Sequence, residues 1–492
     1  MTEEEGARQS PDASSDKKAF GKDVGKLVSG TMVAQVVGII LIPVITRIFS
    51  PEIYGLAAIF ISIVSILTVV SCLRYELAIL LPKEDKDAGS VFCACLAVLF
   101  CFSIVLIPVF FFFGDSIVTL FNGADLSPYV MLIPLLVFID GLYLALRYWN
   151  TRKKRFGTQA ATQVVQSLSG NGLKLGFGLG GLVSAGSLII AQIIGQTLGT
   201  LMLFFQMIRY DAAKIRAGCS IAAIKAQMVR YKKFPLIDSG SNLMNVVSWQ
   251  LPVLMLSGFF STGVAGLYSL GFQMIQLPMS FIGGSIRQVF LQRSSVAKHE
   301  GKLPALVEET CSVLIMLSIM PFLLLTIVGG DLFALVFGSE WYEAGVFAQI
   351  LGMWAMIWFV ASIMSELIYV LEFQEFGLLY NILNLSTRFL SLLIGGLFGS
   401  VYLALFLFMA SGIFVYGYMG YTVVSRSKAS LGRIWLLVRK QISIALILAG
   451  VVLMMSQFIA SPIIVCGTAI LLGVLYMICL IKTSPLVISY IK

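Results

Sequence analysis

Five charged side chains stand inside long apolar stretches of the sequence. They are Arg74 in "SCLRYELAILLP", Asp140 in "LVFIDGLYLAL", Lys174 in "NGLKLGFGLGG", Glu366 in "SIMSELIYVL" and Arg388 in "NLSTRFLSLLIGGL". A cation at the centre of a bilayer costs about 2.5–3.5 kcal/mol on insertion scales, so such groups mark a site or a structural pair. The chemistry that three cations suit is recognition of an anion. Arg offers a planar fork that matches phosphate oxygens, and Lys acts as a point charge. Arg74, nearer the cytoplasmic end of its span, either joins such a site or snorkels to the interface. The two acids, Asp140 and Glu366, suit coupling to a proton or to sodium. Covalent catalysis has no support. There is no nucleophile–base constellation, no metal motif and no phosphate-binding glycine loop. The eight cysteines form no C-x-x-C pair, and the single histidine, His299, lies in a basic loop. The sequence therefore predicts no cofactor, no metal and no disulfide, with the thiols as small apolar filler.

The elements that must hold these groups are membrane helices. Of the 492 residues, 58% are hydrophobic and only 12% are charged, about half the charge of a soluble chain. Apolar runs of about 20 residues, each long enough to span the hydrocarbon core, predict fourteen transmembrane helices between residues 24 and 481. The fold class expected is an all-α polytopic membrane protein. The loops "RYWNTRKKRF", "RYDAAKIRAGCSIAAIKAQMVRYKK", "RQVFLQRSSVAKHEGK" and "SRSKASLGRIWLLVRK" are basic, whereas "FGDSIVTLFNGADLSPY" and "VGGDLFALVFGSEWYEAG" hold no Lys or Arg. The positive-inside rule puts the basic loops, and both termini, in the cytoplasm. The net charge of +9 is then a topology signal divided among loops, and nucleic acid is not expected as a partner. No secretory signal is read at the start.

The spans divide into two copies of six. "VSGTMVAQVV" at Val28 matches "DSGSNLMNVV" at Asp238, "FSPEIYGLA" matches "FSTGVAGLY", "GDSIVTLFNG" matches "GDLFALVFG", and "GGL" at Gly180 matches "GGL" at Gly395. The order is kept at nearly constant spacing, which implies duplication. The expected organisation is a polar cytoplasmic tail at 1–23, a lobe at 24–209, a linker at 210–234, a second lobe at 235–424, a linker at 425–439, and two further helices at 440–492. The first linker is read either as an amphipathic helix on the inner leaflet or as a solvated segment. An even number of spans per copy puts the pseudo-twofold axis along the membrane normal. The same offset sets Lys174 beside Arg388, one cation per lobe at similar depth. If the lobes face each other, the cations would meet across a cavity. The competing reading pairs Asp140 with Lys174 and Glu366 with Arg388 as structural salt bridges.

The opening "GKLVSGTMVAQVVGIILIPVITRIFSPEIYGLAAIFISI" and the following "RYELAILLPKEDKDA" resemble the bacterial polysaccharide transporters, the Wzx-type O-antigen and exopolysaccharide flippases. These belong to the superfamily that also holds multidrug exporters of the MATE kind and the lipid II flippase. The resemblance implies a MATE-like fold in the bacterial inner membrane, working by alternating access without enzymatic activity. It implies a substrate, an undecaprenyl-pyrophosphate-linked oligosaccharide moved from the cytoplasmic to the periplasmic leaflet. Arg74, Lys174 and Arg388 would then serve the pyrophosphate. Trp249, Trp354 and Trp358 would stack on sugars or act as packing anchors. Membrane lipids, a polysaccharide polymerase and a chain-length regulator are the partners it suggests. The rival function is a MATE-like exporter of small molecules or drugs, for which an acidic cavity is expected instead.

Overall fold

The computed structural model describes residues 35–484. The polar tail, residues 24–34 of the first span and most of the "VSGTMVAQVV" motif lie outside the described residues. Among those described, every regular element is helical. In chain order they are α1 (Gln35–Thr46), α2 (Pro51–Ser71), α3 (Tyr75–Ala78), α4 (Asp85–Leu120), α5 (Leu132–Arg152), α6 (Phe156–Leu179), α7 (Ala185–Gly218), α8 (Ile221–Arg230), α9 (Ser239–Phe259), α10 (Thr262–Pro278), α11 (Gly284–His299), α12 (Leu303–Phe337), α13 (Tyr342–Met364), α14 (Leu367–Val370), α15 (Gln374–Leu397), α16 (Val401–Arg426), α17 (Leu431–Phe458) and α18 (Pro462–Thr483). Among the described residues, ten helices are long and apolar enough to cross a membrane, and the chain is a multi-pass membrane protein.

Three expected spans are broken. Between α2 and α3, Leu73 and Arg74 take φ values of 47° and 62°, a left-handed region that ends a helix. Between α13 and α14 the helix halts at Met364 and restarts for one turn. The apolar stretch that starts at Thr262 is divided at Pro278, which has no N–H to donate, and passes through a π-helical turn at Met279–Gly283 before α11. The predicted linkers are largely helical. α7 continues to Gly218, and α8 starts where the Ser220 side chain accepts from the Ala223 N–H at 3.2 Å.

Local geometry supports the duplication and corrects its register. α2 starts at Pro51 and α10 at Thr262, and the two starts cross. A Cβ on Gly55 would lie 1.8 Å from the Thr262 carbonyl, and one on Gly266 would lie 1.9 Å from the Pro51 carbonyl. The two contacts are reciprocal. α6 and α15 are each 24 residues long. They end at Gly181 (φ 81°) and Gly399 (φ 66°), left-handed positions that suit glycine. The next helices are capped by Ser184 and Ser400. Equivalent turns are therefore 218 residues apart. The "GGL" at Gly395 lies inside α15, so its match to Gly180 is fortuitous. In the corrected register Lys174 stands one helical turn, about 6 Å, beyond the position equivalent to Arg388.

The chain forms two compact units. Of the described residues, the first takes 35–45, Val64–Gly114 and Pro128–Asn242; the second takes Thr46–Ile63, Asp115–Ser127 and 243–484. The first is centred on Phe92, Leu99, Leu146, Trp149 and Leu203. In the second, α17 and α18 pack on α12 through Val313, Met320, Val438, Ala445, Val465 and Ala469. Lipid is as apolar as these side chains, so close packing rather than water exclusion holds such helices together.

Candidate functional site

In the first unit the site is a polar seam between α5, α6 and α7. On α6, Gln163, Gln166, Gly170 and Lys174 recur at three- and four-residue steps, which puts them on one helical face. α7 answers with Gln192, Gln196 and Gly199. The helices meet closely, because a Cβ on Gly195 would lie 2.9 Å from the Gly170 Cα, and the Gln166 side chain fills the space beside Gly199. The Lys174 ammonium donates to the Gln192 side-chain oxygen at 3.4 Å. Gln166 donates to Gln196 at 3.0 Å, and Gln196 lies beside the Asp140 carboxylate on α5. Lys174 and Asp140 thus each rest on a carboxamide. The expected Asp140–Lys174 salt bridge is not formed, and among the described residues neither group makes an ion pair.

In the second unit Arg388 is 1% exposed. Its guanidinium donates to the Ser248 carbonyl at 3.1 Å, to the Ser248 hydroxyl at 3.0 Å and to the Tyr416 hydroxyl at 3.1 Å. It lies over the rings of Trp249, Phe408 and Trp354, at 4.2, 5.3 and 5.8 Å from their centroids. Every one of these partners is neutral. Glu366, expected as the counter-ion, instead meets Arg287 at 3.4 Å. This buried cation is held by an aromatic cage, two hydroxyls and a backbone carbonyl.

Arg74 is engaged differently. Its Nε meets Asp238 at 2.7 Å and one terminal nitrogen meets the buried Glu76 at 3.5 Å. It is the one sequence-predicted cation that carboxylates neutralise. The tryptophans pack on each other: Trp354 stacks on Trp358 at 5.5 Å, and Trp358 meets Trp249 at 5.4 Å. Trp354 is fully buried, so in this conformation it cannot present a face to a sugar. A further correction concerns the thiols. Cys93 and Cys219 are joined in a disulfide with a Cα–Cα distance of 6.0 Å. α7 runs past its expected end and brings Cys219 back to the start of α4, where the Ser90 hydroxyl donates to the Gly218 carbonyl at 2.7 Å. Neither the glutamine seam nor the Ser248–Tyr416 pair was singled out from sequence. The stepped glutamines of α6 were the available signal for the first. Nothing local marks the second, since its members come from α9 and α16.

Comparison with known proteins accords with this architecture. The family described as "Polysaccharide biosynthesis protein" matches residues 44–346. The succinoglycan biosynthesis transport protein ExoT of Rhizobium meliloti (strain 1021) is 25% identical over 315 residues, 62% of this chain and 60% of that protein. The chain thus aligns with somewhat less than two thirds of that relative's length. Among solved structures, the lipid II flippase MurJ in an inward closed conformation matches with a TM-score of 0.74 and 12% identity, covering 93% of this chain and 98% of MurJ. An inward-facing multidrug resistance MATE transporter of the MOP superfamily matches with a TM-score of 0.57 and 12% identity, over 82% of this chain and 95% of its own. At these identities the likeness to solved structures is one of fold.

Proposed function

Because the chain belongs to the polysaccharide biosynthesis protein family, we propose that it is a flippase for a polyprenyl-pyrophosphate-linked oligosaccharide. It would move this lipid from the cytoplasmic to the periplasmic leaflet of the bacterial inner membrane, with both termini in the cytoplasm. The observation that carries this reading is the state of the two intramembrane cations. Lys174 rests on an amide and Arg388 on hydroxyls, a carbonyl and rings, so among the described residues neither is neutralised by an acid. An uncompensated cation is costly to keep in a membrane. A pyrophosphate, which brings about two negative charges, supplies the missing compensation during transport.

The two cations have different roles. Lys174 is half-buried and can exchange Gln192 for a phosphate oxygen as a contact residue. Arg388 is sealed behind Trp249 and acts through its field. At about 8 Å and an effective dielectric constant of about 20, one positive charge stabilises one negative charge by roughly 2 kcal/mol. Arg74, held by Asp238 and Glu76, is assigned an entry role, in which the headgroup would have to displace an acid. Asp140, which lies beside Gln196 and makes no ion pair among the described residues, is the proposed coupling acid for a proton or sodium. Glu366 is occupied by Arg287 and is the weaker candidate. The seam is neither purely acidic nor purely basic, and an exporter of organic cations would leave the bare charges of Lys174 and Arg388 without a task.

The test uses cells that lack this protein and its substitutes. The fraction of lipid-linked oligosaccharide facing the periplasm is measured with wild type or Lys174→Ala added back. Wild type should restore outward-facing lipid, and Lys174→Ala should fail while inserting at the wild-type level. Equal sidedness with and without the protein would remove the flippase reading.

A further inference from the structure

We infer that Cys72, Glu76 and Cys95 form a binding site for a thiophilic divalent cation of the zinc class. The site lies in the first unit, apart from the glutamine seam, at the break between α2 and α3. Cys72 is the first residue after α2, Glu76 lies one turn on in α3, and Cys95 faces them from α4. The two sulfurs and a carboxylate oxygen all lie within 4.8 Å of one another. The three residues are 2%, 2% and 0% exposed. The independent sign of a ligand is the carboxylate itself. Glu76 Oε1 meets Arg74 at 3.5 Å, but Oε2 is buried and has no hydrogen-bond partner among the described residues. A buried oxygen left in that state costs on the order of 1–3 kcal/mol, and more when charged. The buried cluster that holds Cys72 and Cys95 also contains Ala78, Phe92 and Leu99, which have no polar side-chain atom to offer.

The donor set selects the ion. Two sulfurs in three donors disfavour calcium and magnesium, which take oxygen ligands. Two cysteines and one carboxylate suit zinc, with Zn–S near 2.3 Å and Zn–O near 2.0–2.2 Å. Such bonds put ligand atoms roughly 3.5–4 Å apart, so small side-chain rotations close the set. A fourth donor is at hand, because the Gly141 carbonyl lies 3.6 Å from the Cys72 sulfur. The charges also suit a cation. Binding displaces the two thiol protons to solvent, so that two thiolates and one carboxylate face one divalent ion, and the Arg74 guanidinium, which Glu76 shares with Asp238, offsets part of the remaining negative charge. The sequence predicts no metal because its reading rests on short spacings, and the third ligand comes from another helix. A bound ion would tie the α2–α3 break to α4 and so fix the segment that presents Arg74.

The test uses the full-length protein, purified in detergent with a reductant, stripped with a chelator and titrated with zinc alone. Wild type should take up a single equivalent of zinc by elemental analysis. Cadmium should give thiolate-to-metal charge-transfer absorption. Cys72→Ser and Cys95→Ser should each bind at least about tenfold more weakly, whereas Cys101→Ser, a change at an exposed thiol, should bind as wild type does. Substoichiometric zinc in the saturated wild type would overturn the proposal, and this reading does not depend on any variant folding. Equal zinc in wild type and Cys95→Ser, or a Cys72–Cys95 disulfide mapped in the reduced preparation, would overturn it as well.

Discussion

Replacing Arg388 by Met separates what the guanidinium does for stability from what it does for transport. Met is close in length, apolar, and flexible enough to fill the cage of Trp249, Trp354 and Phe408. Removing the charge ends a desolvation cost of several kcal/mol. It also removes three hydrogen bonds from a charged donor, at about 1.5–3 kcal/mol each, and a cation–π contact of about 2 kcal/mol. The two sides are of similar size. Tyr416 keeps a partner, because the Asn384 side chain also donates to its hydroxyl at 3.3 Å. Arg388→Met should therefore unfold within about 2 kcal/mol of wild type. Arg388→Lys, which keeps the charge but cannot reach Ser248 and Tyr416 together, should lose about 2–4 kcal/mol. Transport should rank them the other way. Loss of about 2 kcal/mol of field stabilisation slows translocation roughly 30-fold in Arg388→Met, and Lys should retain more activity than Met. The assays are thermal unfolding of purified protein and the outward-facing fraction of lipid-linked oligosaccharide in complemented cells. A stable Arg388→Met protein that transports at the wild-type rate would refute the field argument and leave Arg388 a packing residue.

Three further outcomes are expected. Gly55→Ala and Gly266→Ala should each destabilise by at least about 1–3 kcal/mol, because the added methyl meets a carbonyl oxygen at less than van der Waals distance. The double variant should cost clearly less than the sum, since both disrupt one crossing, and a double-mutant thermal series reads this directly. In Asp140→Asn the pH dependence of flipping in vesicles should disappear while Glu366→Gln retains it; an unchanged profile in Asp140→Asn would remove Asp140 as the coupling acid. The Lys298 hydrogen bond and charge hold the Glu372 carboxyl below its ordinary range. The stabilisation from this pair is therefore present above the ordinary carboxylate pKa and lost as pH falls through the lowered one. The small difference in melting temperature between wild type and Glu372→Gln should vanish as acidification carries the pH below the lowered carboxyl range, and it should shrink with added salt.

The sequence made the helices legible and the partnerships much less so. Hydropathy finds a membrane helix because about 20 apolar residues span the bilayer whatever they pack against, and the expected spans recur as helices or broken helices. Duplication was legible through turn chemistry. The Ser-Pro start at Pro51 and the Ser-Thr start at Thr262 reflect the same helix-initiating turn. The register of the later spans was not legible, because "GGL" at Gly180 is a helix end and "GGL" at Gly395 is helix interior. A glycine pair has more than one physical use, close packing or a left-handed turn, and only the surrounding backbone tells which.

Charge pairing failed for a related reason. Opposite charges one per lobe suggest Asp140–Lys174 and Glu366–Arg388, but a salt bridge needs facing helical surfaces as well as matching depth. α6 turns its polar stripe toward the glutamines of α7, and α15 turns Arg388 toward Ser248 on α9 and Tyr416 on α16. Arg74 shows the reverse case. Its left-handed backbone aims it at Asp238, 164 residues away, a carboxylate that the sequence reading treated only as part of a repeat. The feature that most favours substrate binding, two helix-borne cations with no acid partner among the described residues, is thus invisible in composition and appears only when each cation's neighbours are named. It also ranks the three candidates. Lys174 can meet an anion with the least rearrangement, Arg388 can act only through its field until Trp249 moves, and Arg74 must first release a carboxylate. A pyrophosphate crossing this protein would therefore depend most steeply on Lys174. Activity lost in the order Lys174→Ala, Arg388→Met, Arg74→Gln, at matched expression, is the pattern that this ranking requires.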